Sequence, residues 1–124
     1  MREVIAVVRM NMMNQNKKAL TEAGISSFFA HEVQGRGKGL VNQHVLNGAA
    51  EGHEEAVALL GEKGKLYPKR MLTVVVPDKE VDKVVKTLIK TNQTGNPGDG
   101  KIFVLPITDS VRVRTGERGQ KAIV

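Results

Sequence analysis

The passage from Met71 to Ile89 leaves a chain this short few folds to choose from. Met71-Leu72-Thr73-Val74-Val75-Val76 is an apolar, β-branched run that ends at Pro77. Branched side chains favour extended backbone, and proline stops a strand ladder, so the run reads as a strand. Asp78 can cap the helix that follows, in which Val81, Val84, Val85, Leu88 and Ile89 recur at i, i+3, i+4, i+7 and i+8. That spacing gathers all of them on one helical face. A helix with a single apolar face has to lie on something, and the preceding strand supplies the sheet.

The first part of the chain has the same plan. Val4-Ile5-Ala6-Val7-Val8 is a short buried-strand signal, and Asn14 can cap a helix over Gln15 to Ala23, with Ala19, Leu20 and Ala23 inward and Gly24 as its C-terminal stop. Alternation through Phe28, Ala30 and Val33 predicts a strand from Ser26 to Val33, and Ile102-Phe103-Val104-Leu105 predicts another, with Val111 to Arg114 as a short extension. The order β-α-β, long connection, β-α-β is that of an α+β, ferredoxin-like split βαβ (βαββαβ) fold. With 124 residues there is room for a single domain, 1–124. Aromatics make up 3% of a 40% hydrophobic chain, so the core must be Val, Ile, Leu and Met, and so small a core makes self-association a reasonable expectation.

The connection between the halves, about 36–69, is too long for an ordinary loop and is spaced by glycines from Gly35 to Gly64. Such segments are usually functional or disordered. Glu54 to Leu60 could form a short helix within it, and we expect the loop to order on binding something.

Lysine and arginine number 19 against 13 acidic residues, a balance of +6 that suits anionic ligands or a generally solvated basic surface. Absence of cysteine excludes disulfides, thiolate metal sites and cysteine nucleophiles, and His31, His44 and His53 lack ligand spacing. No serine has the His–acid partners of a nucleophile, so the sequence reads as non-enzymatic, with no catalytic residues. There is no apolar run long enough for a membrane span and no signal-like start, which predicts a soluble, cytoplasmic protein.

Three stretches favour phosphate. Gly35-Arg36-Gly37-Lys38-Gly39 offers close backbone approach with charge, as does Thr94-Gly95-Asn96-Pro97-Gly98-Asp99-Gly100-Lys101. Arg112 and Arg114 stand at strand spacing i, i+2, which would aim both forks one way, although two charges guarding an edge strand would look the same. Taken together they favour an adenine or guanine nucleotide site.

These residues resemble the PII signal-transduction proteins along nearly the whole chain. Glu32-Val33-Gln34-Gly35-Arg36-Gly37 is similar to the entry of that family's T-loop, and Val75-Val76-Pro77-Asp78 with Val81-Asp82 to its second strand-to-helix junction. Thr91 through Val104 resembles its B-loop, and Val111 through Glu117 its C-loop. The resemblance implies a trimer with ATP or ADP in each cleft between subunits. Gly35, Gly37 and Lys38 would lie along the nucleotide, with Val75 near the adenine. Gly98, Asp99 and Gly100 would hold phosphates through their amides, together with Lys101, and Arg112 and Arg114 would reach in from the neighbouring subunit. It also implies 2-oxoglutarate beside ATP and Mg²⁺, gripped by Lys69 with Arg9 next to the pocket, the Mg²⁺ being held mainly by the ligands.

The sequence departs from the family where Gly39 replaces a glutamine that helps bind the Mg²⁺–2-oxoglutarate pair; Gln43 and Asn42 are the candidate substitutes. Tyr67, the only tyrosine, lies near the loop's end, so the uridylylation known in some members is not expected. Val4 to Arg9 with Asn11, a longer loop, and the ending Lys65-Leu66-Tyr67-Pro68-Lys69-Arg70-Met71 resemble the nitrogen-fixation branch, NifI, and its second member. That implies a homotrimer or a hetero-oligomer with a paralogous PII-like subunit, a nitrogenase component as target, and inhibition relieved by 2-oxoglutarate. An ammonium channel or glutamine synthetase is the alternative target. A ferredoxin-like nucleic-acid binder is the more distant reading, disfavoured because Phe103 is the one stacking candidate on the central strands. An acylphosphatase-like enzyme would need Arg9 and Asn11 in a glycine-rich loop, which they are not.

Overall fold

The computed structural model describes residues 1–36 and 66–123. The expected loop interior, with the proposed helix at Glu54–Leu60 and with Gly37, Lys38, Gly39, Asn42 and Gln43, lies outside the described residues.

The elements are β1 (Arg2–Arg9), α1 (Met13–Glu22), β2 (Phe29–Gly35), β3 (Tyr67–Val76), α2 (Val81–Asn92) and β4 (Lys101–Pro106). They form one antiparallel sheet in the order β2-β3-β1-β4, the ferredoxin-like split βαβ arrangement that the sequence predicts. Both helices cover the same face. Val4, Ala6 and Val8 of β1 alternate inward with Leu72, Val74 and Val76 of β3, and they bury against Leu20, Ile25, Val81, Val84 and Leu88. Full burial of each Leu or Val is worth about 1.5–3 kcal/mol, so this aliphatic layer is the main source of stability. Among the described residues, no helix is long and apolar enough to cross a membrane.

The local signals shift in instructive ways. A single 3-10 turn, Met10–Met12, leads into α1, so Asn14 lies inside the helix and caps nothing. Gly24 does take the left-handed conformation (φ 86°) that ends α1. Asp78 does not cap α2 either; it sits in a 3-10 turn and accepts from the Met1 amine at 3.0 Å. β2 begins three residues later than expected, and β3 starts at Tyr67 because it stays paired with β2 to the Gly35–Tyr67 rung. Val111 to Arg114 is no strand: Val111 makes one bridge to Arg118 and the chain turns at once.

Ile89, expected inward, is 44% exposed. Helix α2 sits over β1, while β4 is the outer strand, so the far side of the helix borders a cleft of about 500 Å³ lined by Val85, Ile89, Ile102 and Val104. Among the described residues, no helix covers the opposite sheet face. By register it presents Phe29, Thr73, Ile5 and Phe103 in one row and Val75, Glu3 and Leu105 in another, and Phe29, Phe103 and Leu105 are exposed.

Candidate phosphate-binding site

One corner of the bare face gathers cations. Arg9 pairs with Lys69, which pairs with Val33, and Lys101 lies opposite Val7, so all three basic residues point to the same side of the sheet. Loop 94–101 folds down over this corner. Gly100 makes the closest approach: its φ is +119°, and a Cβ placed there would stand 2.0 Å from the Val7 carbonyl oxygen. Only glycine lets the loop lie that flush on β1.

Asp99 organises the loop from within. Its carboxylate accepts from the Thr94 amide at 2.7 Å, the Gly95 amide at 2.9 Å and the Thr94 hydroxyl. It also accepts from Arg9 Nη1 at 2.8 Å, while Arg9 Nη2 donates to the Pro97 carbonyl at 3.1 Å. The Thr94 hydroxyl and amide, and then Arg9 and the Gly95 amide, hold the Asp99 carboxyl well below the usual carboxylate range. Lys69 Nζ donates to the Gly98 carbonyl at 3.4 Å. Asp99 is therefore a loop scaffold through its side chain, and only its amide is left for the phosphate role expected from sequence.

The structure brings together Gly98, Asp99, Gly100, Lys101, Lys69 and Arg9, with Gly35 at the same end of the sheet, where an added Cβ would meet nothing within 4 Å. Val75 is elsewhere. It pairs with Glu3, four residues along β1 from the rung of Lys101, roughly 13 Å away at strand spacing. There it lines a cavity of about 270 Å³ with Ser26, Ser27, Pro77 and Ile123. Arg112 and Arg114 also belong to that end, since their turn follows β4 past Ile107 and Ser110, both of which bond to Met1. Their expected common strand face is absent. Arg112 is drawn into its own turn, donating to Glu117 and to the Lys121 carbonyl at 2.8 Å each, and Arg114 projects exposed.

One buried pair is not among the sequence-predicted site residues. Asn16 and Asn92 exchange amide hydrogen bonds, 2.9 and 2.7 Å, across the α1–α2 contact, and each also donates to a carbonyl one turn earlier. Asn92 is the last residue of α2, immediately before the loop. The available signal was its place four residues after Leu88 on the apolar stripe. Among the described residues, no group of three or more His, Cys, Asp or Glu could hold a metal ion.

Comparison with known proteins identifies the family. The family model described as nitrogen regulatory protein P-II matches residues 1–117. A relative from Methanobacterium ivanovii named nitrogen fixation nifHD region GlnB-like protein 2 is 44% identical over the full length of both chains. Its namesake from Methanococcus maripaludis is 42% identical, covering 99% of this chain and 100% of its own. Among solved structures, Arabidopsis thaliana PII bound to citrate superposes with a TM-score of 0.73 at 34% identity, covering 98% of this chain and 88% of that one. The chain belongs to the nitrogen regulatory protein P-II family, and like its relatives it is a regulatory protein, not an enzyme.

Proposed function

We propose that the chain is a cytoplasmic nucleotide- and 2-oxoglutarate-sensing regulator that controls nitrogenase by direct binding, working as a trimer or as a hetero-oligomer with a paralogous PII-like subunit. The observation that carries this reading is the split site. The phosphate corner (Gly98–Lys101, Arg9, Lys69) and the adenine end (Val75, Ser26, Ser27, with Arg112 and Arg114) stand at opposite ends of one sheet. A nucleotide held between two copies would meet the phosphate corner of one and the Arg112–Arg114 turn of its neighbour. The bare face supports assembly, because Phe29, Phe103 and Leu105 need a covering that the helices do not supply.

In this reading ATP or ADP lies with its phosphates, and any Mg²⁺ they carry, against the amides of Gly98, Asp99 and Gly100 and the Lys101 amine. Gly35, Gly37 and Lys38 run along it. Lys69 takes a carboxylate of 2-oxoglutarate, a role to which the citrate, itself a polycarboxylate, on the Arabidopsis protein lends support. The names of the curated relatives support nitrogen fixation as the setting. The whole chain, 1–124, acts as a single PII-like domain, and the segment about 36–69 is its partner-reading loop.

The test is calorimetry followed by an assay. Lys101→Ala and Arg114→Ala should each weaken ATP binding by roughly tenfold or more, since each removes a charge-assisted contact. The wild-type protein should inhibit nitrogenase, and 2-oxoglutarate with Mg-ATP should lift the inhibition. Unchanged ATP affinity in both variants refutes the split site, and inhibition indifferent to 2-oxoglutarate refutes the sensing.

A further inference from the structure

The family resemblance puts Arg9 beside the effector, but its guanidinium is engaged elsewhere. One terminal nitrogen meets the Asp99 carboxylate at 2.8 Å and the other meets the Pro97 carbonyl at 3.1 Å. Both side chains of the ion pair are largely buried, 28% and 21% exposed. A planar fork can serve two acceptors in fixed directions at once, which a lysine amine does less well.

We propose that Arg9 is a positioning residue for the phosphate-binding loop: by tying Pro97 and Asp99 to the end of β1, it sets where the backbone of 98–101 meets a ligand's phosphates. This rests on the nucleotide reading above. The loop's internal bonds do not need Arg9, because Thr94 and Gly95 also hold Asp99, and Gly100 already touches Val7. What Arg9 adds is a fastening between two rigid pieces. Gly100 fixes the exit of the loop to β1, and Arg9, through Asp99, fixes its entry at Thr94 to the same strand. Lys69 holds the middle through the Gly98 carbonyl. Loss of Arg9 therefore lets the loop swing as a unit about its exit rather than unfold.

The full chain carrying Arg9→Gln or Arg9→Lys tests this. Arg9→Gln should weaken ATP binding by roughly tenfold, the size of a charge-assisted contact, while adenosine, which lacks phosphates, binds as before. Arg9→Lys should fall between. NMR relaxation at the Gly95, Asn96 and Gly98 amides should report added loop motion in the nucleotide-free variants, while the Thr94 and Gly95 amides stay protected by Asp99, with thermal unfolding little changed and with 2-oxoglutarate affinity at saturating Mg-ATP unaltered. Equal loss of adenosine and ATP would overturn the proposal by making the defect general. Loss of 2-oxoglutarate affinity alone would overturn it by making Arg9 an effector ligand. If wild-type protein binds no ATP, the nucleotide reading falls, and the relaxation experiment still decides whether Arg9 holds the loop: unchanged relaxation at Gly95, Asn96 and Gly98 refutes it.

Discussion

Alanine at position 100 should destabilise the protein by about 3 kcal/mol or more and abolish measurable ATP binding. Two effects combine there. The backbone at φ +119° lies in a region that L side chains avoid at a cost of order 1–3 kcal/mol. The added Cβ would also stand 2.0 Å from the Val7 oxygen and 3.1 Å from its carbonyl carbon. Those atoms cannot yield, because β1 is paired on both sides, to β3 and to β4. The loop must lift instead, taking Asp99 away from Arg9 and Lys101 away from its rung opposite Val7. Gly95→Ala is the control: φ is +84°, nothing lies within 4 Å of the new Cβ, and only the left-handed cost of about 1–2 kcal/mol applies. Denaturant unfolding and ATP calorimetry on the two variants check this, and equal effects would mean that the approach to Val7 is not what requires glycine.

The Asn16–Asn92 pair should behave as a unit. Asn92→Ala is expected to cost about 2–3 kcal/mol, because it opens a small void and leaves the buried Asn16 amide without its partner. Asn16→Ala should do the same from the other side. Both residues are buried, and leucine is close in shape, so the double variant Asn16→Leu/Asn92→Leu should recover most of the loss despite removing every polar atom of the pair. A double-mutant cycle by chemical denaturation measures the coupling, and additive losses would show that the two amides act independently. The recovered variant also has a functional readout. Asn92 ends α2 where the loop begins, so a leucine pair that restores stability but not ATP affinity would assign the amides to loop placement.

Elements that follow from side-chain periodicity were legible from sequence alone. The stripe Val81, Val84, Val85, Leu88 predicts α2 because a helix on a sheet tolerates few other patterns, and the valine runs predict β1 and β3 for the same reason. The glycine-rich stretch ending in Lys101 was likewise legible as a turn between helix and strand, and it joins α2 to β4. Contacts between distant segments were not legible. Nothing near Arg9 in sequence indicates Pro97 and Asp99 as its partners, 88 and 90 residues away. Arg112 and Arg114 misled because i, i+2 spacing implies a common face only on a strand, and a Glu117 five residues on pulls Arg112 into a turn instead. The expected caps failed for a related reason: Asp78 meets the Met1 amine, a charge that no local pattern announces.

Association through the bare side of the sheet, as proposed above, would make stability a function of concentration. An isolated copy holds Phe29, Phe103 and Leu105 exposed, each apolar square ångström at a cost of about 25 cal/mol, and association there would remove that cost. Melting points of such an assembly would rise with protein concentration, by mass action. Variants compared at unequal concentrations would then differ for reasons unrelated to the substitution, and a dilute sample would unfold at temperatures where a concentrated one is intact.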